Sequence, residues 1–262
     1  MAEWRQLSFE DSINSKMMNL IFFHDSAMVL IVFVMAVVGF FLVLFLLTGL
    51  SFGVNGFTSR FISSNEKLEV FWSTLPAVFL FLLGWGSLHN LYSAEVNGSA
   101  GTEPSLNVVV VGHQWYWSYE YYDSALDYAV SPVEFDSYLV PEGDLDGSLG
   151  ACFRMSEVDN PMVLPSDLSF RLIFSSDDVM HSFYVPSFGL KTDCIPGRLN
   201  SNIFSVVLEG IFYGKCAEIC GAYHSGMPIT VEVISSSDWL GWYEGGACGE
   251  FSEFVESLSS CN

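Results

Sequence analysis

The chain opens polar, turns apolar, breaks, and turns apolar again before settling into short alternating segments. Ala27 to Leu50 is 24 residues without a charge. At about 1.5 Å of rise per residue, a helix of that length crosses the roughly 30 Å hydrocarbon core of a bilayer. A helix buried in a soluble protein seldom stays apolar on every face for so long. A polar connection follows from Ser51 to Lys67, and a second apolar run extends from Val70 to about Leu88. Pro76, Gly84 and Gly86 lie inside it; membrane helices tolerate such residues where neighbours satisfy the freed backbone groups. The pattern predicts a polar tail over 1–26 and a transmembrane hairpin over 27–92, with helices at about 27–50 and 70–91.

From Leu106 the period changes. LNVVVVGHQWYWSYEY alternates and is rich in β-branched and aromatic residues. LSFRLIFSS, NIFSVVLE and PITVEVIS read as further strands, separated by Gly, Pro, Asp and Ser clusters. No helical period is evident between Val108 and Ser235, so residues 93–237 are expected to form an antiparallel β-sandwich or barrel. Residues 238–262 form an acidic tail with apolar positions at Trp239, Leu240, Trp242 and Tyr243, compatible with a short terminal helix.

Composition supports this division. The 262 residues are 51% hydrophobic and carry a net charge of −21, two properties that one soluble core rarely combines. Up to Tyr92 there are four basic and six acidic residues; from Ser93 onward there are five basic and 24 acidic, a net −19. Nucleic acid and anionic lipid are thereby excluded as partners of the distal part, and a basic protein fits it. A surface that only aids solubility would look the same. The connection between the apolar runs holds Arg60 and Lys67 against Glu66. The positive-inside rule puts it on the matrix or cytoplasmic side, with both termini and the acidic domain opposite. No basic stretch followed by a short apolar one marks a cleavable signal peptide in residues 1–26.

Candidate chemistry concentrates in GKCAEICGAYHSGMP, which places Cys216, Cys220, His224 and Met227 within 12 residues. Thiolate, imidazole and thioether are all good copper ligands, and His181 could add a second imidazole. Two plainer readings compete: a zinc site from two cysteines and two histidines, or buried thiols beside a core methionine. Zinc has no use for Met227, and zinc knuckles favour two residues between cysteines where this loop has three. A mononuclear blue-copper site needs one cysteine, and this loop has two. Two thiolates can bridge two copper ions, with one histidine on each.

HSFYVPSFGLKTDCIPGRLN followed by CAEICGAYHSGMP, together with GHQWYWSYEY and the apolar hairpin, resembles the cytochrome c oxidase subunit II family. The resemblance runs from about Glu69 to Ser235. Nitrous oxide reductase shares the copper loop but lacks this anchor. The resemblance implies a transmembrane hairpin followed by a cupredoxin-like β-sandwich. It implies two copper ions held by His181, Cys216, Cys220, His224, Met227 and the backbone carbonyl of Glu218. The Glu218 side chain would reach a magnesium ion shared with subunit I, near Asp193. Trp115 would be the exposed ring where electrons enter, and Glu69 would mark the entrance of a proton path into subunit I.

Glu120, Asp136, Asp159, Asp177 and Asp178 match acids on which the family docks cytochrome c. The expected partners are therefore cytochrome c, subunit I and other oxidase subunits, and the lipid bilayer. The expected function is delivery of electrons from cytochrome c to the haem groups of subunit I, for oxygen reduction coupled to proton pumping.

Each assignment has a plainer counterpart. Aromatic residues in a strand are more often core than conduit; Trp115, Trp117, Tyr119 and Tyr121 would share one face of a continuous strand. From sequence alone Glu69 reads first as an interfacial carboxylate solvated by headgroups, and the proton-path role follows only from the resemblance. Cys194 and Phe183 depart from the family pattern without removing a ligand, though Cys194 puts another thiol near the site. Cys152, Cys248 and Cys261 have no family role, and pairing of the last two is open. No CxxCH haem-attachment motif is present. With the missing signal peptide, this points to the mitochondrial inner membrane, with the copper domain and both termini in the intermembrane space. A processed bacterial chain is the other option. A copper-free quinol oxidase subunit would not need the ligand set, and a membrane-anchored copper chaperone would not need the aromatic strand.

Overall fold

The computed structural model describes residues 5–50, 64–95, 104–123, 133–145 and 153–247. Arg60, Cys152, Cys248 and Cys261 lie outside the described residues, and so does the rest of the acidic tail beyond Ala247. The chain divides into two compact units, one formed by residues 19–94 and one by 1–18 with 95–262.

The first unit is the hairpin of α1 (Ser15–Leu50) and α2 (Glu66–Glu95). Both helices outrun their apolar stretches because side-chain caps start them early. Asn14 Oδ1 accepts the Met17 amide at 2.8 Å, and Asn65 Oδ1 accepts the Leu68 amide at 3.1 Å. Large apolar side chains face outward along both helices, among them Phe33, Met35, Phe45, Leu80, Phe81 and Trp85. Such a surface suits lipid and not water. Gly86 leaves room for the Phe23 ring, and Asn90 Nδ2 donates to Asn19 O at 3.2 Å.

The second unit is a two-layer sandwich. One sheet contains β1 (Leu106–His113), β2 (Tyr116–Asp123), β3 (Val133–Ser137), β5 (Ser169–Ser176) and β8 (Asn200–Ser205), in the order β3-β2-β1-β5-β8. The other contains β4 (Met162–Pro165), β6 (His181–Val185), β7 (Leu190–Cys194), β9 (Gly210–Cys216) and β10 (Pro228–Ile234), in the order β4-β10-β9-β6-β7. Period-two alternation turns Val108, Val110, Trp117, Tyr119, Tyr121, Leu172 and Phe174 inward from the first sheet. Phe183, Val185, Ile229, Val231 and Val233 meet them from the second.

The sandwich corrects the sequence reading in two places. It is not wholly antiparallel: β1 pairs with β5, and β4 with β10, in parallel. Both pairings join strands distant in sequence, so no local turn signal reports them. The aromatic segment is a hairpin and not one strand: His113 pairs with Tyr116, leaving Gln114 and Trp115 as the turn. Trp115 therefore does not share the alternation that buries Trp117, Tyr119 and Tyr121.

The short terminal helix expected in the acidic tail is present. Helix α3 (Ser236–Ala247) is capped by Ser235, whose hydroxyl accepts the Asp238 amide at 3.2 Å. It buries Trp239, Trp242 and Tyr243, and Trp242 packs edge-on against Tyr121 at 5.2 Å between centroids.

The segment before α1 and the first turn of α1, up to Met18, belong to this unit too. The Ile13 amide donates to Ser187 O, and the Val207 amide donates to Ile13 O. Asn14 Nδ2 donates to Phe188 O at 2.8 Å, and Lys16 Nζ donates to Ile203 O at 3.0 Å.

Candidate metal centre

Three segments of the sandwich converge on one buried point. His181 opens β6, Cys216 ends β9, and Cys220, His224 and Met227 follow in the loop to β10. Close approach of β9 to β6 fixes where Cys216 falls. Any Cβ at Gly214 would collide with the Tyr184 carbonyl, so only glycine permits this pairing. The loop is then tied down by its own backbone: the Ala217 amide donates to Ser182 O at 2.9 Å and the His224 amide to Gly221 O at 3.3 Å. Gly221 has φ +130, a conformation open to glycine and strained for other residues.

The donor atoms form one contiguous cluster. His181 Nδ1 is 3.9 Å from Cys216 Sγ, which is 4.0 Å from Cys220 Sγ. Cys220 Sγ is in turn 3.5 Å from both His224 Nδ1 and Met227 Sδ. The Glu218 carbonyl oxygen lies 3.3 Å from Cys216 Sγ. His181, Cys216, Cys220 and Met227 are all buried, and His224 is half-buried. The set is soft, water-excluded and multidentate, which fits copper chemistry. The ligand atoms of His181, Cys216 and Cys220 lie within 4.8 Å of one another.

The two thiols differ electrostatically. Burial opposes ionisation of Cys216, but hydrogen bonds from His181 and the backbone overcome it and bring its pKa down to about 7. Burial and the neighbouring Cys216 charge push Cys220 up to about 12. Two like charges resist sharing one site without a cation between them.

The remaining sequence candidates distribute as follows. Trp115 is half-buried, not freely exposed. Its ring is tilted against Tyr223 at 5.3 Å, and a Cβ on Gly221 would lie 3.1 Å from its Cζ2. Its Nε1 is buried and meets no acceptor among the described residues. Cys194 is buried and stands opposite His181 on β7, but β6 separates it from β9. Two strand spacings, about 9.5 Å, are too far for a disulfide with Cys216.

Asp193 pairs with Ser182, whose carbonyl accepts the amide of Ala217, next to Glu218. Glu120 and Asp136 lie on the outer face of the first sheet, bonded by the Tyr122 and Tyr138 hydroxyls. Asp159 is exposed and accepts the amides of Tyr138 and Asn160. Asp177 is exposed, with His113 Nδ1 at 3.9 Å. Asp178 differs, since its carboxylate contacts His181 itself. Glu69 lies in the hairpin unit, in the first turn of α2, where the helix dipole favours a carboxylate.

Several participants were not singled out from sequence. Gln114 Nε2 donates to Cys220 O at 2.7 Å, tying the hairpin turn to the cysteine loop. Glu134 stands directly opposite Glu120. Tyr223, 66% exposed, packs on Trp115. Gln114 and Tyr223 lie inside the segments that drew attention, but neither is a metal ligand or a charge.

The fold and site define a membrane-anchored β-sandwich with a buried thiol, imidazole and thioether cluster. Family comparison narrows this. The model of the cytochrome c oxidase subunit II periplasmic domain matches residues 106–234, and that of its transmembrane domain matches residues 2–89. Cytochrome c oxidase subunit 2 of Periplaneta americana is 39% identical over 243 residues, covering 92% of this chain and 97% of that one. The Drosophila subobscura subunit is 39% identical over 245 residues, covering 92% and 97%. A solved structure of the periplasmic domain of subunit II of cytochrome oxidase from Bradyrhizobium japonicum is 36% identical. It covers 55% of this chain and 95% of that domain, with a TM-score of 0.47.

The chain belongs to the cytochrome c oxidase subunit II family. It is a subunit of a cytochrome c oxidase and associates with other oxidase subunits. Its two membrane helices and its animal relatives fit the mitochondrial inner membrane.

Proposed function

We propose that this chain accepts electrons from reduced cytochrome c at a dinuclear copper centre and passes them to the haem groups of subunit I, which reduces oxygen to water with proton pumping. The observation that carries the reading is a pair of thiols with one imidazole beside each, His181 next to Cys216 and His224 next to Cys220. A single four-coordinate zinc would take the two thiols and two imidazoles and leave the Met227 thioether, 3.5 Å from Cys220 Sγ, without a use; two ions use all of these donors.

Cys216 and Cys220 would bridge both ions, His181 and His224 would bind one each, and Met227 and the Glu218 carbonyl would complete the set. When bound, such a pair supplies a one-electron relay whose ligands change little with oxidation state. The protein's part is to bury the donors, hold their spacing and exclude water. The half-exposed Glu218 side chain and the neighbouring Asp193 would reach a magnesium ion shared with subunit I.

Trp115 is the proposed point where electrons enter, because its ring bridges the surface and the backbone beside Cys220. Glu120, Asp136, Asp159 and Asp177 are the proposed docking acids for a basic cytochrome. The hydrogen bonds from Ile13 and Asn14 to the sandwich support one compartment for the N-terminal segment and the copper domain, the intermembrane space.

Glu69 is the proposed entrance of the proton path. Stopped-flow copper reduction and steady-state turnover, measured together on the assembled oxidase, test the scheme. Reduced cytochrome c should reduce the copper within a turnover, and Glu69→Gln should slow turnover while sparing that step. Copper reduction slower than turnover would contradict the electron route, and unchanged turnover in Glu69→Gln would remove Glu69 from the proton path.

A further inference from the structure

Asp177 and Asp178 are adjacent acids of the same charge on the loop after β5, yet they do different work. The Asp177 side chain is 73% exposed, and its nearest basic group is His113 at 3.9 Å. The Asp178 side chain is 30% exposed and every part of its carboxylate is used. Oδ1 lies 2.8 Å from His181 Nε2 and accepts the Val179 amide at 2.5 Å. Oδ2 accepts the Gln114 amide at 2.6 Å. Burial alone would raise the Asp178 pKa; the hydrogen bonds from His181, Val179 and Gln114 instead hold it below the usual carboxylate range.

These contacts have a chemical consequence. A neutral imidazole binds a metal through one nitrogen while the other carries the proton. A carboxylate at Nε2 selects the tautomer with its proton there, which leaves the Nδ1 lone pair facing Cys216. The same carboxylate holds the Gln114 amide, and Gln114 carries Trp115 on its C-terminal side. The Gln114 side chain closes the circuit by donating to Cys220 O at 2.7 Å.

We infer that Asp178 is a positioning residue of the copper centre, a role separate from any docking charge it carries: one oxygen sets the tautomer and ring orientation of His181, and the other holds the turn that presents Trp115. The inference rests on the copper reading given above. The carboxylate makes His181 a stronger donor, and a stronger donor favours the oxidised, more highly charged metal pair. Neutralising it weakens copper binding and favours the reduced state. Neutralising Asp177 does neither.

The test uses the full chain in detergent, reconstituted with copper, with Asp178→Asn, Asp178→Glu and Asp177→Asn beside the wild type. Copper affinity is read by competition with a chelator and the redox equilibrium by titration against cytochrome c. In Asp178→Asn, affinity should fall about 10–100-fold, the range for loss of an outer-shell partner of a metal-bound histidine. The redox equilibrium should move toward reduced copper by about tenfold, or ~59 mV for one electron. Asp177→Asn should leave both quantities unchanged and lower only the rate of association with cytochrome.

Asp178→Glu provides the second arm if the asparagine variant does not fold. Glutamate keeps the docking charge but displaces the carboxylate, so affinity and redox equilibrium should shift while the salt dependence of association stays as in the wild type. Wild-type affinity and redox equilibrium in either Asp178 variant would overturn the inference. Failure of the wild-type chain to bind copper would instead overturn the proposed function.

Discussion

Gly112 on β1 lies against the His181 ring so closely that a methyl group there would come within 2.9 Å of the imidazole Cδ2. The ring is held from the other sides by Asp178 at Nε2 and by the Trp117 edge, 5.9 Å between centroids. It therefore cannot yield to a new Cβ without moving its Nδ1 away from Cys216. Overpacking a closed core site costs about 1–3 kcal/mol. Gly112→Ala should lower the unfolding midpoint and alter the copper spectrum, whereas alanine at the open position Gly143 should do neither. A wild-type spectrum in Gly112→Ala would show that the ring has a second place to go.

Trp115 contributes a ring and not a hydrogen bond, since its Nε1 has no acceptor among the described residues. Trp115→Phe keeps an aromatic group but withdraws the part nearest Gly221. Electron transfer from bound cytochrome should slow far more than binding weakens, with copper spectra intact. Stopped-flow reduction under saturating cytochrome checks it. An unchanged rate with reduced affinity would make Trp115 only a docking contact.

Glu120 and Glu134 face each other across β2 and β3, with Asp136 on the same outer face. Like charges directly opposite destabilise a sheet, so this face is expensive without a cationic partner. Neutralising Glu120 and Asp136 together should slow cytochrome association several-fold at low ionic strength. The difference should vanish near 1 M salt, where the Debye length is about 3 Å. Equal association rates at all salt concentrations would remove this face from the docking site.

Glu232 gives a pH signature remote from the copper ligands. It projects from β10 between Val163 and Ile211, and burial raises its pKa. A carboxyl whose folded pKa exceeds its unfolded value favours the folded state when protonated. That contribution is lost as pH rises from the unfolded pKa through the folded one. Glu232→Gln should therefore be more stable than wild type at pH 7, with the difference shrinking toward pH 4. Thermal melts of the copper-free chain at the two pH values measure it; a variant less stable at pH 7 would assign Glu232 a favourable contact.

The hairpin, the sandwich and the donor set were legible because each leaves a local trace. Uncharged length marks Ala27–Leu50, alternation marks β1 and β5, and spacing marks Cys216 to Met227. The pairing of β1 with β5 and of β4 with β10 left no trace, because parallel neighbours are joined by long connections. Helix α1 starts at Ser15 and not near Ala27 because an asparagine cap, and not hydropathy, sets its beginning.

Trp115 could not be placed by alternation, since a two-residue turn interrupts the segment that appeared continuous. The role of Asp178 was hidden for a related reason. As one of two adjacent acids it reads as surface charge, and only the fold of β6 against the β1–β2 turn brings His181 and the Gln114 amide to its two oxygens. Gly112 and Gly221 are equally silent in sequence, because what they contribute is space.

In the proposed centre the Cys216–Met227 loop and His181 hold two copper ions that share an electron. Electron paramagnetic resonance of the purified full chain, with its metal content measured on the same sample, tests this most directly. Two coppers per chain are expected, with a hyperfine pattern from one unpaired electron spread over both nuclei that Cys220→Ser abolishes. One zinc per chain, or the signal of a single copper, would contradict it.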